Sequence, residues 1–235
     1  MPLTSLAWDA APASAGAVAL LLHGGAVEGR QANRPWSHNV ARIYPLGRAV
    51  AASATPAPLA VARLRFRWRG WNGDERSPVA DALWGLEQVR SRYPGRPIAL
   101  IGHSMGGRTA LHVADEPDVR LLLGLSPWIE ADDALPTKAD LRTVLIHGDR
   151  DTICPLWASR ETVEKLRAEG RHASLIRVAR SDHAMLIRAG LWSRLITDVV
   201  IAGLADALGG ATPPGPEPAR SIAEQAVSDP GIYEI

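Results

Sequence analysis

Residues 97–114 read Pro-Ile-Ala-Leu-Ile-Gly-His-Ser-Met-Gly-Gly-Arg-Thr-Ala-Leu-His-Val-Ala: an apolar run, a turn of small residues, and a helix-forming stretch. A short run without polar interruption suits a strand buried in a sheet. Gly102 and Gly106 stand two residues before and two after Ser104. In a tight strand-to-helix turn, a Cβ at either position would collide with the neighbouring strand or helix. The hydroxyl at the apex would be exposed at a helix N-terminus, where backbone N–H groups and the helix dipole favour negative charge. Ser104 is therefore the candidate nucleophile.

Similar units recur along the chain. Ala17–Leu22 is another continuous apolar run, and Val61–Trp68, Val119–Leu125, Thr143–His147 and Ala173–Val178 read as further strands. Between them, Val79–Tyr93 places Leu83, Leu86 and Val89 on one helical face, and Leu156–Glu169 and Leu191–Leu208 read as helices. Strands alternating with helices predict an α/β fold, with a mainly parallel central sheet flanked by helices on both faces. A chain of 235 residues can form one such domain with a sizeable core. The domain is expected over residues 1–208. Residues 209–235 open on Gly-Gly-Ala-Thr-Pro-Pro-Gly-Pro-Glu-Pro, which reads as a Pro/Gly-rich linker or loose end, with a short helix at Ser221–Val227.

The loops after the strands carry the remaining chemistry. His23-Gly24-Gly25-Ala26 follows the first apolar run and suits a loop that aims a backbone N–H at a developing oxyanion. Such a site needs about two donors, and the candidates are Met105, after the serine, with Gly25 or Ala26. Two acids follow the strand at 143–147. Asp151 sits deeper in its loop and can swing toward the serine, whereas Asp149 reads as a turn-former bonded to nearby N–H groups. Of seven histidines, His183 alone follows the acid on a loop after the last strand. His23, His103, His112, His147 and His172 read as structural, and His38 as a residue able to line a pocket.

Four segments together resemble the α/β-hydrolase superfamily: Leu-Leu-His-Gly-Gly at 21–25, Gly-His-Ser-Met-Gly-Gly at 102–107, Ile-His-Gly-Asp-Arg-Asp at 146–151 and Ser-Asp-His-Ala-Met-Leu at 181–186. The resemblance covers roughly residues 15–205. It implies Ser104 as nucleophile, His183 as general base and then acid, and Asp151 as the residue orienting His183. It also implies no metal and no organic cofactor. One departure is visible: Ala26 stands where some lipase-like members have a third glycine. Relatives that hydrolyse epoxides or haloalkanes use aspartate where Ser104 stands, which disfavours those chemistries here.

Composition limits the alternatives. The net charge of +1 gives no reason to expect nucleic acid. Arg63, Arg65, Arg67 and Arg69 alternate, as on one solvated strand face. A single cysteine, Cys154, excludes an internal disulfide and lies outside the serine turn, so it reads as a small, partly buried side chain near the pocket mouth. No apolar run is long enough to span a membrane, and no signal peptide is apparent, so cytoplasm is the default location. Only Ser126–Leu141 is available for a lid, which predicts a nearly open site. Four of the eight tryptophans, Trp36, Trp71, Trp128 and Trp157, fall on loops expected near it. Trp36, Trp71, Trp128, Ile153 and Met185 are the expected pocket walls. The function expected is a serine esterase acting on small to medium carboxylic esters, with a small-molecule ester or acyl compound as partner. The same triad would serve a thioesterase, an amidase or an acyltransferase, and a non-catalytic binding protein of the same fold is the reading from another class.

Overall fold

A computed structural model describes residues 3–235 of the chain. Its strands are β1 (Ser5–Ala10), β2 (Ala17–Leu22), β3 (Leu59–Arg65), β4 (Ile98–His103), β5 (Val119–Leu125), β6 (Arg142–Gly148), β7 (His172–Val178) and β8 (Ile232–Glu234). They form one sheet in the order β1-β3-β2-β4-β5-β6-β7-β8. Only β1 is antiparallel to its neighbour; all other pairs are parallel. The helices are α1 (His38–Arg42), α2 (Tyr44–Ala51), α3 (Ser77–Arg92), α4 (Met105–Val113), α5 (Leu156–Ala168), α6 (Ala189–Gly203) and α7 (Ala219–Ser228).

The apolar strands are buried on both faces. Leu21, Ile101, Leu123 and Ile146 meet α2, α6 and α7 through Leu46, Val50, Trp192, Leu195 and Ala223. Alternate residues Leu20, Leu22, Leu100, Leu122 and Leu145 meet α3, α4 and α5 through Leu86, Val89, Ala110 and Val163. Period-two side-chain alternation under two helical layers is why these strands read as unbroken apolar runs. The carboxyl ends of β2, β4, β6 and β7 lie along one edge, where open α/β sheets place their sites. Between β5 and β6, residues 126–141 contain neither helix nor strand, so this segment supplies no helical cap to that edge.

Two expectations are corrected. The alternating arginines are not a solvated face: Arg63, Arg65 and Arg67 are half-buried, and their guanidinium groups are engaged by neighbouring segments. Arg63 donates from Nε and NH2 to Asp9 at 2.6 and 2.7 Å and lies 4.0 Å over the Tyr44 ring. Arg65 donates to Ser5 Oγ and the Asn33 carbonyl, and Arg67 ion-pairs with Asp81. Arg69 alone of the four, beyond the strand, is exposed.

The tail from residue 209 is not a loose end. Ala219, Ala223, Ala226 and Val227, spaced i, i+4, i+7 and i+8, make one apolar stripe that α7 buries in the α6-side core. β8 then pairs with β7, and the Ile235 N–H donates to the Arg177 carbonyl at 3.0 Å. The proline-rich stretch is a fixed connection, with the Gly215 N–H donating to Asp198 at 2.9 Å.

Candidate active site

Ser104 occupies the turn between β4 and α4 with φ 54° and ψ −118°, a strained region for any residue with a Cβ. The surroundings hold it there. Its N–H donates to the Leu125 carbonyl at 3.0 Å, and its own carbonyl accepts from Gly107, Arg108 and Trp128. A Cβ on Gly102 would stand 2.2 Å from the Gly106 oxygen, and one on Gly106 would stand 2.4 Å from the Leu22 oxygen. The two glycines thus let β2, β4 and α4 approach closely enough to force the strained turn.

Asp151 follows β6 and its side chain is fully buried. Oδ1 accepts from the N–H groups of Ile153 and Cys154, both at 2.9 Å. Oδ2 accepts from His183 Nδ1 at 2.8 Å and lies 3.3 Å from His147 Nε2. Burial alone would raise the Asp151 pKa. The hydrogen bonds from His147, His183 and the Cys154 N–H outweigh it and hold the carboxyl well below the usual range. Asp149 does not bond to nearby turn N–H groups as expected; it pairs with Arg177 at 3.1 Å, and its second oxygen meets the distant Ser181 N–H.

With Nδ1 committed to Asp151, His183 keeps Nε2 open, and both Ser104 and His183 line one cleft of about 490 Å³. The His183 loop is pinned from two sides. His103 Nε2 donates to the His183 carbonyl at 3.0 Å, and Arg42 NH1 donates to the Ala184 carbonyl at 2.7 Å.

His147 is a partner of the site that the sequence pattern does not mark. Its Nε2 faces two acceptors, the Cys154 carbonyl at 3.0 Å and Asp151 Oδ2, so that nitrogen carries the proton. Nδ1 then accepts from the Ser159 hydroxyl at 2.8 Å. Ser159, His147 and Asp151 form a buried chain behind His183. Only the path of the 148–155 loop brings His147 back onto Asp151, so no local motif announces it.

Two of the expected oxyanion donors have backbone N–H groups free of an acceptor among the described residues. Met105 is the first residue of α4 and has no acceptor within the helix. Gly25 N–H has no hydrogen-bond partner among the described residues. The other expected donor is corrected: Ala26 N–H already donates to the Arg69 carbonyl at 2.8 Å.

Of the expected pocket walls, Ile153 lines the cleft and four others do not. Trp71 is 4% exposed and sits in the α3/α4 core. The Arg108 guanidinium lies 4.3 Å from the Trp71 ring and 4.4 Å from the Trp128 ring. Asp133 accepts from Arg108 and from His112 Nε2 at 2.9 Å each, which clamps the 126–141 loop to α4. Met185 packs under α6, and Trp36 is 73% exposed beside Arg34. The reason is common to Trp71, Trp128 and Met185: large apolar side chains on these loops gain more by sealing the loop base than by facing solvent. Trp71→Ala is accordingly expected to cost about 3–5 kcal/mol of stability, read as a shift in the urea midpoint. A change in ester chain-length preference at unaltered stability would contradict this placement.

Two buried histidines make the fold acid-sensitive. Burial pushes His23 down to about 4 and His103 down to about 3, from 6.5. Both are neutral when folded, so the unfolded chain binds more protons once the pH falls below 6.5. Stability is complete above that pH. It is expected to fall by up to about 1.4 kcal/mol per pH unit for each histidine on acidification, until the folded pKa is reached. Urea midpoints at pH 7, 6 and 5 test this; a flat profile would refute it. Cys154 is buried, and its thiol is pushed up to about 12 by burial and by the Asp151 charge, so it is no nucleophile at neutral pH.

Among the described residues, no group of three or more His, Cys, Asp or Glu side chains is placed to hold a metal ion. No described helix is long and apolar enough to cross a membrane.

Comparison with known proteins agrees with the fold. A family model described as serine aminopeptidase, S33, matches residues 68–141. Bis(hydroxyethyl) terephthalate hydrolase of Streptomyces coelicolor is 33% identical over 82 residues, 34% of this chain and 26% of that protein. Cutinase 1 of Thermobifida cellulosilytica is 36% identical over 69 residues, 29% of this chain and 26% of that protein. The chain therefore spans about a quarter of the length of these curated relatives. Among solved structures, a thermophilic esterase from Thermogutta terrifontis superposes with TM-score 0.65 at 17% identity, covering 91% of this chain and 90% of that one. An α/β serine hydrolase without lid from Xanthomonas campestris gives 0.62 at 20% identity, covering 89% and 91%. The chain has the fold of α/β serine hydrolases.

Proposed function

We propose that this chain is a serine hydrolase that cleaves carboxylic esters of small to medium size through an acyl-enzyme on Ser104. The carrying observation is the cleft at the carboxyl edge of the sheet. It holds a serine in a strained turn together with a histidine whose Nδ1 is bonded to a buried carboxylate. In the first half-reaction Ser104 Oγ bonds to the acyl carbon as its proton passes to His183 Nε2. The carbonyl electron pair moves onto oxygen and is held by the Met105 and Gly25 N–H groups. Collapse breaks the ester C–O bond, and the alcohol leaves with the His183 proton. A water then repeats the cycle on the acyl-enzyme, releasing the acid and restoring Ser104. Asp151 stabilises the imidazolium without taking its proton.

The same machinery acts on thioesters and amides. The matched family model is described as an aminopeptidase, but an N-terminal ammonium would enter a cleft lined by Arg42, Arg69 and Arg150 with Asp182 as its acid. Like-charge repulsion opposes that substrate and favours esters. Hydrolysis of p-nitrophenyl esters from acetate to laurate is the test, with fluorophosphonate labelling at Ser104 alongside. Turnover and labelling support the reading; a wild-type protein that neither turns over nor labels would indicate a binding protein instead.

A further inference from the structure

The charge in the cleft is lopsided for a chain whose net charge is +1. Away from the cleft, many guanidinium groups meet carboxylates: Arg63 with Asp9, Arg90 with Glu116 and Asp118, Arg177 with Asp149 and Glu234. At the cleft this pattern stops. Arg42 arrives from the end of α1, Arg69 from the loop after β3, and Arg150 from the loop after β6. None of the three has a carboxylate within 4.0 Å among the described residues. Asp182 is the one acid lining the same space. The Asp151 charge is spent below it, buried against His183, His147 and two N–H groups.

Three cationic forks from separate segments, open to one cleft and unpaired, match the planar geometry of a carboxylate or phosphate. A concave surface of one sign also concentrates ligands of the other. We propose that the substrate carries, besides its ester, a second oxyanionic group, a carboxylate or a phosphate, that Arg42, Arg69 and Arg150 bind. This rests on the hydrolytic reading of the site. Arg42 is the inner member: half-buried and anchored by NH1 on the Ala184 carbonyl, it keeps further N–H donors beside the His183 loop. Arg69 and Arg150 are exposed, and each is fixed by its backbone rather than its side chain. The Arg69 carbonyl accepts from Ala26 at 2.8 Å, and the Arg150 N–H donates to the Ser181 carbonyl at 2.9 Å. Replacing either side chain therefore leaves those loop contacts in place.

The experiment compares kcat/KM for p-nitrophenyl hydrogen glutarate and p-nitrophenyl pentanoate, which share a five-carbon acyl chain and differ in a terminal carboxylate. The expected result is a preference of at least about tenfold for the charged ester at low salt. The preference shrinks in about 0.5 M salt, because exposed guanidinium groups are screened. It also falls in Arg69→Gln and Arg150→Gln, and furthest in the double variant. Inhibition by glutarate set against inhibition by inorganic phosphate tells which oxyanion fits. Equal turnover of the two esters, or faster turnover of the neutral one, overturns the proposal while the hydrolytic reading stands. If neither ester is cleaved, the hydrolytic reading fails and the charge proposal is decided by binding. Calorimetric titration of Ser104→Ala with glutarate and with phosphate then supports it if binding is saturable, salt-sensitive and lost in the Arg69→Gln/Arg150→Gln background. Absence of binding overturns it.

Discussion

Ser104→Ala is expected to lower kcat for p-nitrophenyl esters by about 10⁴–10⁶-fold while leaving the melting curve in place. The separation of the two effects follows from the turn. Ser104 is held by its backbone, through Leu125, Gly107, Arg108 and Trp128, and alanine meets the same strained φ and ψ as serine. Removing Oγ would therefore delete the proposed attacking atom without releasing the turn. If Ser104 and His183 act as the proposed nucleophile and base, His183→Ala should cost a similar factor and the double variant little more, because such a pair acts as one unit. Asp151→Asn should lose on the order of 10⁴ by disturbing the His183 tautomer. Activity within tenfold of wild type in Ser104→Ala, measured on protein free of contaminating esterase, would remove Ser104 from the reaction.

Gly106→Ala is expected to be among the most disruptive single-methyl changes at the site. Its Cβ would stand 2.4 Å from the Leu22 oxygen and 2.7 Å from the His23 oxygen, both backbone atoms. Neither can rotate away, so α4 must lift from β2 or the turn must open. Overpacking of a well-filled core costs about 1–3 kcal/mol and more where backbone must move. We expect about 3 kcal/mol or more, or roughly 6–12 °C in Tm for a chain of this size. Gly190→Ala is the matched control: its Cβ would meet only the far end of Arg194, at 3.5 Å, and its backbone carries no positive φ. That change should be neutral or slightly stabilising. Equal urea midpoints for the two variants would show that the close approach at Gly106 is not what holds the turn.

Both results depend on a part of the molecule that is legible locally. Glycine spacing around Ser104 and the apolar run before it act over a few residues, through steric exclusion and burial. The same holds for the runs that became β2, β5, β6 and β7. Less was legible where a strand is short or half-buried. β1 and β8 lie at the two edges of the sheet and have only one strand neighbour each, so their sequences carry little pattern. α1 and α2 break into short pieces interrupted by Pro45 and Gly47, which weakens their periodicity.

The sequence by itself determined the order of the central strands and the longer helices, and with it which loops reach the edge where Ser104, Asp151 and His183 lie. Those features follow from local sterics and from side-chain period. The tertiary structure alone decided the rest. It spent the Ala26 N–H on Arg69, turned Trp71 and Trp128 onto Arg108, folded His147 back onto Asp151, and left Arg42, Arg69 and Arg150 facing one cleft. Each of these is a contact or convergence of segments separated along the chain. Such pairings depend on where loops land after the sheet has assembled, and no short window of sequence holds that information.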